Sequence, residues 1–301
     1  MRKLAFIIMS LGLAGSVQAA GTSSAQFLKL GAGAKAAALG EAAVSVTDDV
    51  TAAYWNPAGL SKVESTELAL MQNSYLVDTN YQYAGLALPT RNYTFAFSFY
   101  RMDYGSIDSY NASNVKQGSF NAGSMAGSIS LAKKLSDSAS MGMSLKYISE
   151  SIENESGTAF AADFGGIMKV SRFSIGASIQ NLGSSIKFVK ESEDLPLTIR
   201  LGASTQFFNE KLTGAFDISK ARDNEATFHT GLDYKLLSIV SLRAGYQVTP
   251  GNSLNIDGIT NISGGMGISL KNFNIDYAVS PFGDLGMAHR ISLKYKFAAR
   301  E

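Results

Sequence analysis

Apolar and polar residues alternate with period two over most of the chain beyond residue 65. In "YTFAFSFY", Tyr93, Phe95, Phe97 and Phe99 share one face, and Thr94, Ala96 and Ser98 the other. "VSLRAGYQV" sets Val240, Leu242, Ala244, Tyr246 and Val248 against Ser241, Arg243, Gly245 and Gln247. "HRISLKYKF" sets Ile291, Leu293, Tyr295 and Phe297 against Arg290, Ser292, Lys294 and Lys296. Such alternation marks strands with two unlike faces. It predicts about fourteen of them, near 66–73, 80–89, 92–102, 121–134, 138–152, 157–170, 172–182, 196–208, 211–220, 225–236, 239–249, 262–271, 272–280 and 286–297.

A soluble sandwich buries the apolar face, whereas a membrane barrel turns it to lipid and keeps the polar face around the lumen. Length and connections separate the two. Most predicted strands reach the roughly 9–11 residues that a tilted membrane strand needs. Connections after even-numbered strands are tight ("PTR", "LSD", "VSR", "FNEK", "KLLS", "LKN"), and those after odd-numbered strands are mostly longer and more polar ("DYGSIDSYNASNVKQGSF", "ESIENESG", "GSSIKFVKESEDL", "TPGNSLNIDGIT"). Short turns on one rim and long loops on the other, with an even strand number, describe an outer-membrane barrel with both chain ends on the periplasmic side. The expected fold class is therefore all-β, a transmembrane antiparallel barrel of about fourteen strands, with outer-membrane lipid as its surroundings.

The first residues have a different character. "MRKLAFIIMSLGLAGSVQAAG" joins a basic start, an apolar run from Leu4 to Leu13 and a small-residue cleavage pattern, so a signal peptide is expected over 1–19. Residues 20–64 are rich in Ala and Gly, with helix-compatible stretches at Ala34 to Ala43 and from Asp49 to Tyr54. Such a segment does not span lipid as a strand, so a partly helical plug is expected over 20–64 and the barrel over 65–301. Asp48 or Asp49 is suited to cap a short helix, and Pro57 ends it near Trp55 by disfavouring the α region for Asn56.

Composition removes whole classes of chemistry. The chain has 29 Gly, no Cys, two His and a formal net charge of +1. Near-zero charge argues against nucleic acid, and without Cys there is neither a disulfide framework nor a thiol nucleophile. His229 and His289 both fall in predicted strands, so no metal site or cofactor is expected. Ser292 and Asp233 also lie in strands, but no spacing selects a catalytic trio, and no enzyme is expected. Gly31, Gly33 and Ala36 spell G-x-G-x-x-A without the βαβ unit that would make it a dinucleotide fingerprint. The lumen-side cations Arg200, Arg243, Arg290, Lys294 and Lys296 are read as counter-charges for Asp163, Asp217, Asp233 and Asp276.

One stretch points to a family. "GAGAKAAALGEAAVSVTDDVTAAYWNPAGLSKV" resembles the N-terminal signature of the PorV/PorQ-type outer-membrane proteins, which are similar to the long-chain fatty acid transporter FadL. The matching residues are Gly31, Gly40, Ala42, the acidic pair Asp48 and Asp49, Ala53, and Trp55, Asn56, Pro57, Ala58 and Gly59. The resemblance implies a fourteen-stranded barrel with the N-terminal segment folded into the lumen, the turn Asn56-Pro57-Ala58 in that plug, and the run Trp55, Asn56, Pro57, Ala58 and Gly59 as a candidate ligand or gating element. In that turn Asn56 is expected to bond neighbouring backbone and Gly59 to adopt a conformation closed to other residues. It also implies a closing aromatic read by the assembly machinery, here Phe297, although Ala298 to Glu301 follow it.

Two functions remain open. The first is a part in protein export or surface attachment, of type IX-like secretion, with secreted proteins or secretion components as partners. The second is a FadL-like channel for long-chain fatty acids or other hydrophobic compounds, which predicts an apolar pocket between plug and wall near Trp55, Leu60 and Ile167. An open porin is the weakest reading, because the plug fills the lumen.

Overall fold

The computed structural model describes residues 21–77, 79–188, 190–250 and 260–298. The expected signal peptide over 1–19 lies outside them, as do the residues that follow Ala298.

The strands are β1 (Glu67–Ser74), β2 (Asn80–Pro89), β3 (Thr94–Tyr110), β4 (Lys116–Lys134), β5 (Ala139–Ile152), β6 (Glu155–Val170), β7 (Phe173–Gly183) and the short pair β8 (Ile186–Phe188) and β9 (Glu191–Glu193). They continue with β10 (Thr198–Phe207), β11 (Leu212–Ala221), β12 (Thr227–Lys235), β13 (Val240–Val248), β14 (Ile262–Leu270), β15 (Phe273–Pro281) and β16 (Met287–Lys296). All but β8 and β9 form one closed antiparallel barrel of fourteen strands, sealed by β1 pairing with β16. Closure leaves no sheet edge, which an apolar bilayer requires because it offers no partner for a free backbone group.

The faces are inverted relative to a soluble protein. On β3, Phe95 and Phe97 are 41% and 45% exposed on the outside, while Ala96 and Ser98 are 0% and 6% exposed on the inside. Lys146 and Asp163 are buried within the barrel, and Leu145 and Phe160 stand on its outer surface. Aromatics flank the short-turn rim, where the Phe273 and Tyr295 rings lie 4.6 Å apart and the Tyr295 and Phe297 rings 4.7 Å apart. The amide of Phe297 donates to the Thr66 carbonyl at 2.8 Å, joining the chain's last aromatic to the start of the barrel.

The predicted strands match in number and order, but two expected long loops are strand. β3 and β4 run on to Tyr110 and from Lys116, with a bulge between Asp103 and Ser106, and β5 and β6 are joined by only the turn at 153–154. These extensions are polar on both faces, so they carry no alternation, yet backbone pairing continues without it. The connection at 184–197 differs again: it carries β8 and β9 and folds inward, burying Ile186 and Leu195.

Residues 21–63 run through the lumen from the long-loop rim to the short-turn rim. They contain helix α1 (Ala34–Ala38), helix α2 (Ala52–Trp55) and 3-10 turns at Gln26–Lys29 and Pro57–Lys62. The helices are shorter than the sequence suggests, since Ala-rich composition permits a helix but the wall imposes the path. α2 ends at Trp55, as Pro57 requires, with Asn56 extended at φ −160°.

Candidate functional site

The plug has so little room that it approaches the wall backbone to backbone, and glycines on the wall make this possible. Gly142 of β5 and Gly165 of β6 pair across strands, and a Cβ on Gly142 would sit 2.6 Å from the Ala58 nitrogen. Gly176 of β7 and Gly202 of β10 pair likewise, and their Cβ atoms would sit 2.5 Å from the Val44 oxygen and from Val44 Cγ1. Gly231 of β12 pairs with Gly245 of β13 beneath Leu39 and Gly40. A belt of glycines around half the lumen is thus a track for the plug.

Polar side chains then fix the plug in its track. The Asp217 carboxylate accepts from the Ala43 and Val44 amides at 2.7 and 2.8 Å. His229 Nδ1 donates to the Gly40 carbonyl at 2.7 Å, which leaves Nε2 to accept from Ser219 at 2.9 Å. Ser178 Oγ donates to the Trp55 carbonyl at 3.0 Å, and the Gln180 amide donates to that of Tyr54. Within the plug, Trp55 Nε1 donates to the Ala32 carbonyl at 2.7 Å and Tyr54 to that of Leu28 at 2.6 Å.

The Trp-Asn-Pro-Ala-Gly run lies at the centre of this packing. Asn56 Nδ2 donates to the Val44 and Gly166 carbonyls at 2.9 and 3.1 Å, and its Oδ1 accepts from the Ala58 amide at 3.1 Å. Pro57 opens the 3-10 turn. Gly59 departs from expectation. It does not take the left-handed conformation; it is needed because a Cβ would lie 2.6 Å from the Thr47 oxygen and 2.9 Å from Ala52 Cβ. Trp55, Asn56, Pro57, Ala58 and Gly59 are all fully buried.

The acidic pair is split between two environments. Asp49 is buried, with Oδ2 2.7 Å from Lys294 Nζ of β16 and Oδ1 accepting from the Thr51 amide and hydroxyl at 2.9 and 2.6 Å. It folds back on a turn ahead of α2 and is not the helix cap. Burial alone would raise its carboxyl, but Lys294 and Lys35 outweigh burial and hold it well below the ordinary range. Asp48 points away, 3.4 Å from Lys35, with its side chain half-exposed. Asp49→Ala leaves Lys294 buried and unpaired, a loss of about 3 kcal/mol. The expected readout is protease cleavage of the plug at denaturant concentrations that leave the wild-type plug intact.

The expected counter-charge pairing holds only for Arg243, which bridges Asp233 at 3.2 Å and Asp276 at 2.5 Å. Asp163 takes Lys146 at 2.7 Å, Lys296 takes Glu67 at 3.2 Å and Asp217 takes plug amides. Arg200 and Arg290 face the plug residue Glu41. His289 lies on the outer surface, bonded to the Tyr277 hydroxyl at 2.8 Å, and it joins no catalytic group. No group of three or more His, Cys, Asp or Glu suited to a metal occurs among the described residues.

At the long-loop rim Asp223 gathers the start of the plug, accepting from Lys29 Nζ at 2.6 Å, Gln26 Nε2 at 2.9 Å and the Ser23 amide at 3.2 Å. Burial pushes its carboxyl up, but these donors pull it down to about 2. Its folded value is thus below the ordinary value of about 3.9, so its contribution is complete above about pH 4 and is lost as pH falls through about 2. Amide-exchange protection of residues 23–29, corrected for intrinsic rates, is expected to stay constant from pH 7 to pH 5 in the wild type. In Asp223→Asn it is expected to be lost at both.

The plug leaves a cavity on each side. The one toward the long-loop rim has a volume of about 610 Å³, with Tyr54, Glu41, Arg200 and His229 at its base and Tyr75 and Phe282 among its upper residues. The other, of about 570 Å³, opens to the short-turn rim and is lined by charged residues, Lys35, Lys62, Lys169 and Arg172 among them. Trp55 and Leu60, expected beside an apolar pocket, are fully buried and line neither cavity, because the glycine track lets the plug close against the wall there. Ile167 lines the lower cavity. Beside the plug the β6–β7 ladder is interrupted between Ala162 and Phe164, where the Asp163 carboxylate accepts from the Asn181 amide at 2.8 Å.

No family model matches the chain, and no curated protein matches it by sequence. Solved structures do match its fold. The CymD monoaromatic hydrocarbon channel superposes with a TM-score of 0.70 at 12% identity, over 90% of this chain and 99% of that one. The Pseudomonas putida toluene transporter TodX gives 0.68 at 14% identity, over 90% and 99%. A Pseudomonas aeruginosa FadL homologue gives 0.62 at 14% identity, over 88% and 98%. The chain therefore shares the barrel fold of FadL-type hydrocarbon channels.

Proposed function

We propose that the protein is a FadL-like outer-membrane channel for the uptake of hydrophobic small molecules, exported by its signal peptide and embedded with its short-turn rim in the periplasm. The observation that carries this reading is the plugged lumen with a cavity of about 610 Å³ facing the long-loop rim. That volume is in the range of small-molecule sites, roughly 300–1,000 Å³. Tyr75 and Phe282, stacked edge to face at 5.6 Å, offer aromatic surface to an arriving apolar compound.

The buried plug closes the straight route, so passage requires either a shift of the plug or an exit through the wall. The register shift in the β6–β7 ladder, between Ala162 and Phe164, is an irregular place in the wall beside the plug. The similarity to hydrocarbon channels supports this reading over protein export. In the export reading a partner would meet the rim, yet the connection at 184–197 turns inward against the plug, with Ser24 bonded to the Glu193 and Asp194 carbonyls.

Deleting the gene is expected to slow uptake of radiolabelled toluene by whole cells and to leave the secreted proteome unchanged. Unchanged toluene uptake, together with loss of secreted proteins, would favour export instead.

A further inference from the structure

The base of the outer cavity carries charges that a hydrocarbon does not need. Glu41 lies between two arginines, with Oε2 4.0 Å from Arg200 Nη2 and Oε1 3.8 Å from Arg290 Nη1. Both separations exceed hydrogen-bond length. Arg200 Nε donates to Gln180 Oε1 at 3.2 Å, but its Nη1 has no hydrogen-bond partner among the described residues, nor do Nε and Nη1 of Arg290. Both side chains are buried, with 7% of Arg200 and 5% of Arg290 exposed. Buried donors of this kind cost free energy unless something accepts from them.

The arrangement is built, not incidental. Glu41 holds a left-handed backbone at φ 66°, next to Gly40 at φ 62°, a conformation that is unfavourable for a non-glycine residue. The Arg200 guanidinium stacks on Trp55 at 4.8 Å, which fixes its plane. Glu41 is the carboxylate that lies between the two guanidiniums, while the other carboxylate near Arg200, Asp217, is already taken by the Ala43 and Val44 amides. Above it the cavity offers the hydroxyls of Thr198 and Ser219 and then the aromatic rings of Tyr75 and Phe282, while Arg290 lies in a small side pocket that shares Glu41 and Phe282 with it.

We propose that this base is a binding site for the carboxylate of a small amphipathic organic acid, with Arg200 as its principal cationic contact and Glu41 as the internal anion it displaces. The acid's apolar body then lies along Tyr75 and Phe282. This deepens the channel reading, on which it rests: the preferred cargo has one carboxylate on a body about the size of a single ring. Arg290 is drawn toward the ligand once Glu41 yields.

The test is equilibrium dialysis of the purified full-length protein against radiolabelled benzoate and toluene, with the fluorescence of Trp55, the chain's sole tryptophan, as a second readout. Benzoate is expected to bind saturably and more tightly than toluene. Arg200→Gln is expected to weaken benzoate by about tenfold, as for loss of one charge-assisted hydrogen bond, and to weaken toluene by much less. Glu41→Gln, which removes the competing carboxylate and keeps both arginines, is expected to tighten benzoate by a similar factor. Saturable toluene binding without benzoate binding overturns the proposal and leaves the channel reading standing. Benzoate binding insensitive to Glu41→Gln overturns it as well, whatever the fate of Arg200→Gln. Failure of both ligands to bind overturns it too, and toluene uptake by whole cells then decides the channel reading separately.

Discussion

Deleting residues 21–62 is expected to turn a nearly closed barrel into a conducting pore, with single-channel conductance in planar bilayers rising at least about tenfold. The reason is geometric. A barrel of fourteen strands is too wide for its own side chains to fill, and here the plug core of Phe27, Val50, Tyr54, Trp55 and Leu60 occupies the space. The barrel itself should survive, because its closure is a ladder between β1 and β16 that involves no plug residue. Lys294, Asp217 and His229 lose their plug partners, but water enters the lumen with the plug gone, so none is left charged in a dry site. A folded deletion variant that still does not conduct would assign the seal to the inward-folded connection at 184–197.

The second large effect belongs to the glycine track. Gly245→Val places a side chain where the Gly40 backbone lies, and Gly165→Val places one at Asn56. Overpacking a flexible neighbourhood typically costs about 1–3 kcal/mol. Here the obstructing atoms at Gly245 are backbone pinned by His229 and Ser263, so the plug must leave its seat. Both variants are expected to show current noise in planar bilayers and rapid proteolysis within residues 30–60, with the barrel still heat-modifiable on gels. Gly127→Val, at a position where a Cβ meets nothing within 4 Å, is the control and should behave as wild type. Quiet bilayers with Gly245→Val would mean that the plug is not held by this contact.

The barrel was legible in the sequence because lipid and lumen impose a period of two on every strand. Tyr93 to Phe99 and Ile291 to Phe297 show it without any knowledge of neighbours. Strand extensions such as Ser106–Tyr110 were not legible, since both their faces meet water and only backbone pairing defines them. The Trp-Asn-Pro-Ala-Gly turn was recognisable through Pro57 and the bond from the Ala58 amide to Asn56 Oδ1, which are local. Gly59 and the wall glycines were not, because their role is to admit an atom from a distant segment, and strand register alone reveals which segment. Glu41 stands in the same position: an ordinary Leu-Gly-Glu-Ala-Ala stretch gives no sign that Arg200 and Arg290 will meet it. The complete burial of Trp55 and Leu60 was hidden for the same reason, as it follows from close backbone docking against the wall glycines.

The most direct test of the account is mass spectrometry of what stays bound when the native protein is gently extracted from its own membrane. The channel reading predicts a small apolar or amphipathic molecule at up to one per barrel, lost when the plug is altered. A polypeptide recovered in its place, with no small molecule, would contradict it and point to export.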